Sequence, residues 1–160
     1  MTRVAAALAL ALLWSPPAGA QDTREADEGR IRDIVASQRD AWNRGNANEY
    51  VNRFQSHGSF TVRAGTTFGT RIAFQEWVTQ AFAKTFKDSV LTQTIRSVLF
   101  VQPDVAVVNM ETAITGHASL PGGVSDSSGD TLRTAMLQVF IRKGGYWRVA
   151  ALHDVDVKTR

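Results

Sequence analysis

The hydrophobic positions of this chain change their period once. Up to about residue 88 they recur every three or four residues. Beyond it they alternate over long runs. From about Ala26 to Arg44, Ile31, Ile34, Val35 and Trp42, with Gln38 in the same stripe, share one helical face. Gly45 is expected to stop that helix as a left-handed cap. Asn46, with Glu49 three residues on, is a capping-box-like start for a second, short helix carrying Ala47, Tyr50, Val51 and Phe54. His57-Gly58-Ser59 is expected to turn the chain, and Phe60 and Val62 alternate in a strand from Ser59 to Arg63. Gly65 to Gly69 suits a turn or short hairpin. A third helix is expected from about Arg71 to Lys84, with Phe74, Trp77, Val78, Ala81 and Phe82 on one side.

After Asp88 four strands are expected: Val90 to Val101, Val105 to Gly116, Thr131 to Arg142 and Tyr146 to Val157. Pro103-Asp104 and Lys143-Gly144-Gly145 are the tight turns, and Leu120 to Asp130 reads as a flexible loop. Helices first and antiparallel strands afterwards argue one α+β domain, with the helices on the concave face of a curved antiparallel sheet. Strict alternation turns Trp147, Val149, Ala151, His153 and Val155 inward, and Arg148, Asp154 and Asp156 outward. On neighbouring strands the inward sets are Val108, Met110, Thr112, Ile114 and Met136, Gln138, Phe140. The opposite set Ala135, Leu137, Val139 and Ile141 is apolar too. A homodimer through this outer sheet face is therefore expected.

Residues 1–20 read differently. Arg3 precedes an apolar run from Val4 to Trp14, then Ser15-Pro16-Pro17 and the small residues Ala18-Gly19-Ala20. That three-part pattern is a secretory signal peptide cleaved after Ala20. Its apolar run would rise only about 16 Å as a helix, too short for a hydrocarbon core of about 30 Å. The domain is then 21–160, exported to a periplasm or medium, with no membrane attachment after cleavage. The net charge of +3 shrinks with Arg3 gone, to 17 basic against 15 acidic residues, interleaved as in Arg30-Ile31-Arg32-Asp33. No basic face for nucleic acid is visible. The absence of cysteine removes disulfides, thiolate metal sites and a cysteine nucleophile.

Several segments carry a resemblance. Ala41-Trp42-Asn43-Arg44-Gly45-Asn46-Ala47, Phe54-Gln55-Ser56-His57-Gly58-Ser59-Phe60, Gly69-Thr70-Arg71, Gln102-Pro103-Asp104-Val105-Ala106-Val107 and Gly145-Tyr146-Trp147-Arg148-Val149-Ala150-Ala151-Leu152-His153 follow one another in the order of a known family. The chain resembles the SnoaL-like (SgcJ/EcaC-type) branch of the nuclear transport factor two-like superfamily, from about Glu25 to Val157. The resemblance implies a cone-shaped α+β barrel with an apolar pocket, usually dimeric. Members range from isomerases, cyclases, dehydratases and hydrolases to proteins without chemistry. Fold therefore fixes no function. Where steroid isomerases of the superfamily carry their base, oxyanion tyrosine and protonated aspartate, this chain has Val62, Gln38 and Gln138. Valine moves no proton, so isomerase chemistry is not expected at those positions.

The candidate chemistry is sparse. His153 is placed inward beside Gln138. As a neutral imidazole with an amide partner it is either a general base or a core histidine satisfied by one hydrogen bond. Trp42, Phe60, Trp77, Met110, Thr112, Met136, Phe140 and Trp147 are either a ligand-binding pocket or plain core. No metal is expected, since His57, His117 and His153 lie on unlinked segments and Asp126 to Asp130 matches a calcium loop only loosely. No nicotinamide, flavin or other cofactor is expected. The functions that follow are an exported protein binding a small apolar ligand, or a small-molecule enzyme using His153 as base with Gln138 or Thr112 orienting a carbonyl. Export predicts a mature chain beginning at Gln21. N-terminal sequencing of the exported protein reads this directly, and a retained Arg3 would refute it.

Overall fold

A computed structural model describes residues 18–118, 120 and 131–157, with side chains from residue 23. The expected signal peptide lies mostly outside the described residues, as does the Asp126–Asp130 loop. The elements are α1 (Ala18–Asn43), α2 (Ala47–Val51), β1 (Phe54–Thr61), β2 (Thr67–Thr70), α3 (Arg71–Ala83), β3 (Val90–Gln102), β4 (Val105–Thr115), β5 (Thr131–Lys143) and β6 (Tyr146–Asp156). The strands form one curved sheet, ordered β2-β1-β6-β5-β4-β3, that does not close. Four of the neighbouring pairs are antiparallel, and β1 with β6 is parallel. α1 lies along β3, and α3 covers β1 and β2.

The helix ends hold as their residues dictate. Gly45, at φ +64°, gives its N–H to the Trp42 carbonyl at 2.7 Å, and the Asn46 N–H reaches the Ala41 carbonyl at 2.9 Å. These two bonds make a Schellman cap on α1. Asn46 then caps α2, its Oδ1 accepting from the Glu49 N–H at 3.0 Å. Asn43 makes two bonds to the Leu91 backbone, donating from Nδ2 at 3.1 Å and accepting at Oδ1 at 2.7 Å. Trp42 Nε1 donates to Ser89 Oγ at 3.0 Å. Trp42 and Asn43 thus tie the end of α1 to the start of β3.

At the other end of α1, Asp27 is buried and accepts from Trp147 Nε1 at 2.9 Å, Arg142 Nη1 at 2.8 Å and Arg30 Nη1 at 2.9 Å. This pins α1 to the β5–β6 hairpin. Between the two ends, Gln138 Nε2 donates to Gln38 Oε1 at 3.1 Å, both residues fully buried.

The sheet departs from strict alternation at one place that matters. On β6, Val149 pairs with Phe140 of β5 and Ala151 pairs with Val139, so Ala150 is an extra residue. A bulge of one residue reverses the faces of everything after it. Trp147 and Val149 face inward as expected, but then Leu152, Asp154 and Asp156 take the inner face. Ala151, His153 and Val155 take the outer one, contrary to expectation. His57-Gly58-Ser59 does not turn the chain but lies within β1, where the register with β6 also shifts. The two irregularities meet. A Cβ on Gly58 would stand 2.5 Å from the Ala150 carbonyl oxygen and 2.5 Å from the Phe60 ring. Only glycine fits there without displacement. Gly58→Ala is expected to lower stability by about 1–3 kcal/mol, the range for overpacked sites, as read by urea unfolding. An unchanged midpoint would show that the two strands do not depend on this close approach.

Candidate functional site

The turned end of β6 brings Leu152 and Asp154 to a cavity of about 270 Å³ at the open end of the sheet. Its walls include the rings of Trp42, Tyr50, Phe74, Trp77 and Phe86. These rings brace one another. Trp42 meets Tyr50 edge-on at 5.6 Å and Phe82 at 4.9 Å, and Phe74 stacks on Trp77 at 6.1 Å. Met136 and Leu152 contribute further apolar surface from the sheet, and Lys84 stands exposed beside the cavity at the end of α3.

Asp154 is the carboxyl in this lining. Thr134 of β5 hydrogen-bonds it. Thr134 Oγ1 lies 2.6 Å from Thr112 Oγ1 of β4. Proton counting sets the direction when Asp154 is ionised. A carboxylate only accepts, so Thr134 spends its one proton on Asp154 and Thr112 donates to Thr134. The other oxygen, Oδ1, is closed off from solvent and has no hydrogen-bond partner among the described residues. Arg63, after β1, sits by Asp156, with Nε 3.4 Å from its Oδ1.

Burial pushes the Asp154 carboxyl up to about 6. The Thr134 hydrogen bond and the Arg63 charge pull the other way, and the negative charge of Asp156 adds to the rise. Burial, helped by the Asp154 charge, raises the Tyr50 phenol far above its ordinary value. Tyr50 is therefore a hydroxyl donor across the whole useful pH range. The arrangement can accept or release one proton near neutrality. Among the described residues no group of three or more His, Asp or Glu is placed to hold a metal ion.

The expected pocket residues divide. Trp42, Trp77, Thr112 and Met136 line the cavity. Phe60 is buried behind the wall, 5.4 Å from Phe74. Met110 and Phe140 are core, and Trp147 is committed to Asp27 at the far end. Gln138 bonds Gln38 and does not line the cavity. His153 is exposed on the outer face, opposite Leu137 and not beside Gln138, because the Ala150 bulge reverses its side. It is neither cavity base nor core histidine. Asp154, Tyr50, Thr134 and Arg63 were not anticipated. The pairing of Asp154 with Asp156 at a two-residue spacing was visible, but period-two alternation assigned it outward.

No family model matches this sequence, and no curated protein does. Solved structures do. A domain of unknown function with a cystatin-like fold from Nostoc punctiforme is 23% identical, with a TM-score of 0.71, covering 84% of this chain and 79% of its own. An NTF-2 like protein of unknown function from Shewanella oneidensis is 15% identical, with a TM-score of 0.65, covering 81% and 99%. The fold is NTF2-like. A hexachlorocyclohexane dehydrochlorinase from Novosphingobium barchaimii shares this NTF2-like fold at 15% identity and a TM-score of 0.68, covering 85% of this chain and 90% of its own. At these identities the likeness is one of fold.

The raised pKa of Asp154 has a stability consequence. Below pH 4 folded and unfolded chains both carry the proton, and the site costs nothing. Between about pH 4 and 6 the unfolded chain ionises first, so stability falls as pH rises through that window. Above it the cost is complete, about 3 kcal/mol for a shift of this size. Asp154→Asn should therefore stabilise the protein at pH 8 by about 1–3 kcal/mol and change little at pH 4. Urea unfolding at both pH values checks this. An equal effect at both would show that the carboxyl is not ionised at a cost.

Proposed function

We propose that this protein binds a small, largely apolar molecule in the cavity, with Asp154 as its polar anchor. The observation that carries the reading is a cavity of about 270 Å³ whose walls are largely aromatic and whose lining holds the Asp154 carboxyl. The cavity volume supports a ligand of one or two rings. An apolar cavity of about 150 Å³ takes benzene, and pockets for larger organic molecules begin at about 300 Å³.

A second reading is favoured by one specific observation. A carboxyl poised at about 6 is a competent proton acceptor at neutral pH. If the molecule is transformed, Asp154 is the base and Tyr50 the donor that stays protonated. This replaces the reading based on His153, whose exposure on the outer face leaves it nothing to act on.

A fragment screen by thermal shift tests the site. Ring-sized ligands should raise the Tm of wild type and His153→Ala alike and lose most of the effect in Trp77→Ala. Ligands that act through His153 and ignore Trp77 would overturn the assignment.

We also propose that a second copy covers the outer sheet face. What supports this is a row running Leu99, Val107, Val139, Ala151 across four strands, flanked by the exposed Leu137 and Val155. Sedimentation should give a dimer at micromolar concentration, and Leu137→Asp a monomer. A wild-type monomer would refute it.

A further inference from the structure

We propose that the cavity takes an organic acid, its ring body against the aromatic walls and its carboxylate outward at the rim, beside Lys84. This rests on the reading of the cavity as a binding site and goes further in naming the class of molecule. Three observations carry it.

The first is the chemistry of the rim. Gln80, Lys84 and Thr85 border the cavity where α3 ends. Gln80 and Lys84 are exposed, and Thr85 is half-buried. Among the described residues none of these three side chains has a hydrogen bond or an ion pair. They present an amide, an ammonium and a hydroxyl, and each of them can donate. A carboxylate only accepts, and it is the group that such a rim suits.

The second is the distribution of charge. Among the described residues Asp154 is the one acid in the lining, and it is buried away from the rim. Arg63 acts on Asp154 and also stands 3.4 Å from Asp156. Inside, then, one guanidinium serves two carboxyls. The Tyr50 phenol stays neutral. An anionic head is repelled from the Asp154 end and attracted by Lys84 at the rim. Both effects favour one orientation, with the body inward and the carboxylate outward. A cation would meet the lysine on its way in.

The third is the cost of moving a charge. Trp42, Phe74, Trp77 and Phe86 give the ring body an apolar surface in a space of about 270 Å³. A charge taken to that depth would lose its hydration. A carboxylate at the rim keeps its water while the rings are buried, just as Lys84 keeps its ammonium hydrated. An ion pair so exposed contributes little, about 0.2–1 kcal/mol. The preference for the acid is therefore a factor of a few, and the walls supply most of the affinity.

The test is calorimetric titration of the protein with three matched probes: naphthoate, naphthylmethanol and naphthylmethylamine. At low salt naphthoate should bind about three- to fivefold tighter than naphthylmethanol, with naphthylmethylamine weakest. In Lys84→Met naphthoate should fall to the level of naphthylmethanol, which itself binds as in wild type. Lys84→Arg should keep the preference, and about 0.5 M salt should shrink it. Trp77→Ala should weaken all three probes alike, as expected if their rings share the aromatic walls. If the probes bind wild type equally, if the amine binds best, or if Lys84→Met leaves the preference intact, the assignment to an organic acid is overturned and the binding site stands. If none of them binds, both are overturned.

Discussion

The close approach of Gly58 to the Ala150 carbonyl decides which residues of β6 reach the interior. β1 and β6 run parallel there, and both carry an irregularity at the point of contact. Gly58 has no Cβ, so its backbone sits where any other residue would meet the Ala150 oxygen and the Phe60 ring. The extra residue at Ala150 is accommodated opposite it. Beyond it Leu152 and Asp154 face the cavity, and His153 and Val155 the outer surface. Without the bulge the same strand would present His153 and Val155 to the interior and send Asp154 to the outer surface. One residue of register separates a cavity built on an imidazole from one built on a carboxyl.

The two ends of the interior treat a buried aspartate in opposite ways. Asp27 accepts hydrogen bonds from an indole and two guanidinium groups, and its charge is met. That end is closed and structural, joining α1 to the β5–β6 hairpin. Asp154 receives a threonine hydroxyl and shares the Arg63 charge with Asp156. The contrast is in the donors supplied, since the residue type is the same. A buried carboxylate that is fully hydrogen-bonded supports a fold. One that is left short of donors destabilises the ionised form, and the fold retains it against that cost. The Gln38–Gln138 pair lies between these ends and spends its bond internally. Neither amide lines the cavity.

Much of the fold was legible because long amphipathic segments state their period plainly. The stripe Ile31, Ile34, Val35, Gln38, Trp42 does face the core, and Gly45 and Asn46 cap helices as their chemistry requires. On β4 and β5, alternation assigned every inward residue correctly from Val108 to Ile114 and from Met136 to Phe140. The site was only half legible. Trp42, Trp77, Thr112 and Met136 follow from periodicity, since they lie on elements that keep one phase. Asp154 does not, because a bulge leaves no mark on composition, and Ala150-Ala151 looks like any small pair in a strand. The bulge packs against Gly58, about ninety residues away in sequence. A glycine within an otherwise regular strand was the available signal of a close backbone approach, and it was read as a turn.

The NTF2-like fold does not settle what occupies the cavity, and its structural neighbours show why. Proteins of unknown function and a dehydrochlorinase share this backbone at 15–23% identity. What they have in common is the fold, and a fold alone leaves the chemistry of any cavity to a few side chains. In this chain the polar groups of the lining include the Asp154 carboxyl, the Thr112 hydroxyl, the Tyr50 phenol, Arg63 and Lys84. None is a nucleophile poised beside a base, and the carboxyl is the group that changes charge near neutral pH. On the proposed reading, any proton transfer in the cavity passes through Asp154. The cost of keeping that carboxyl ionised in a largely apolar space is what brings its titration towards neutral pH.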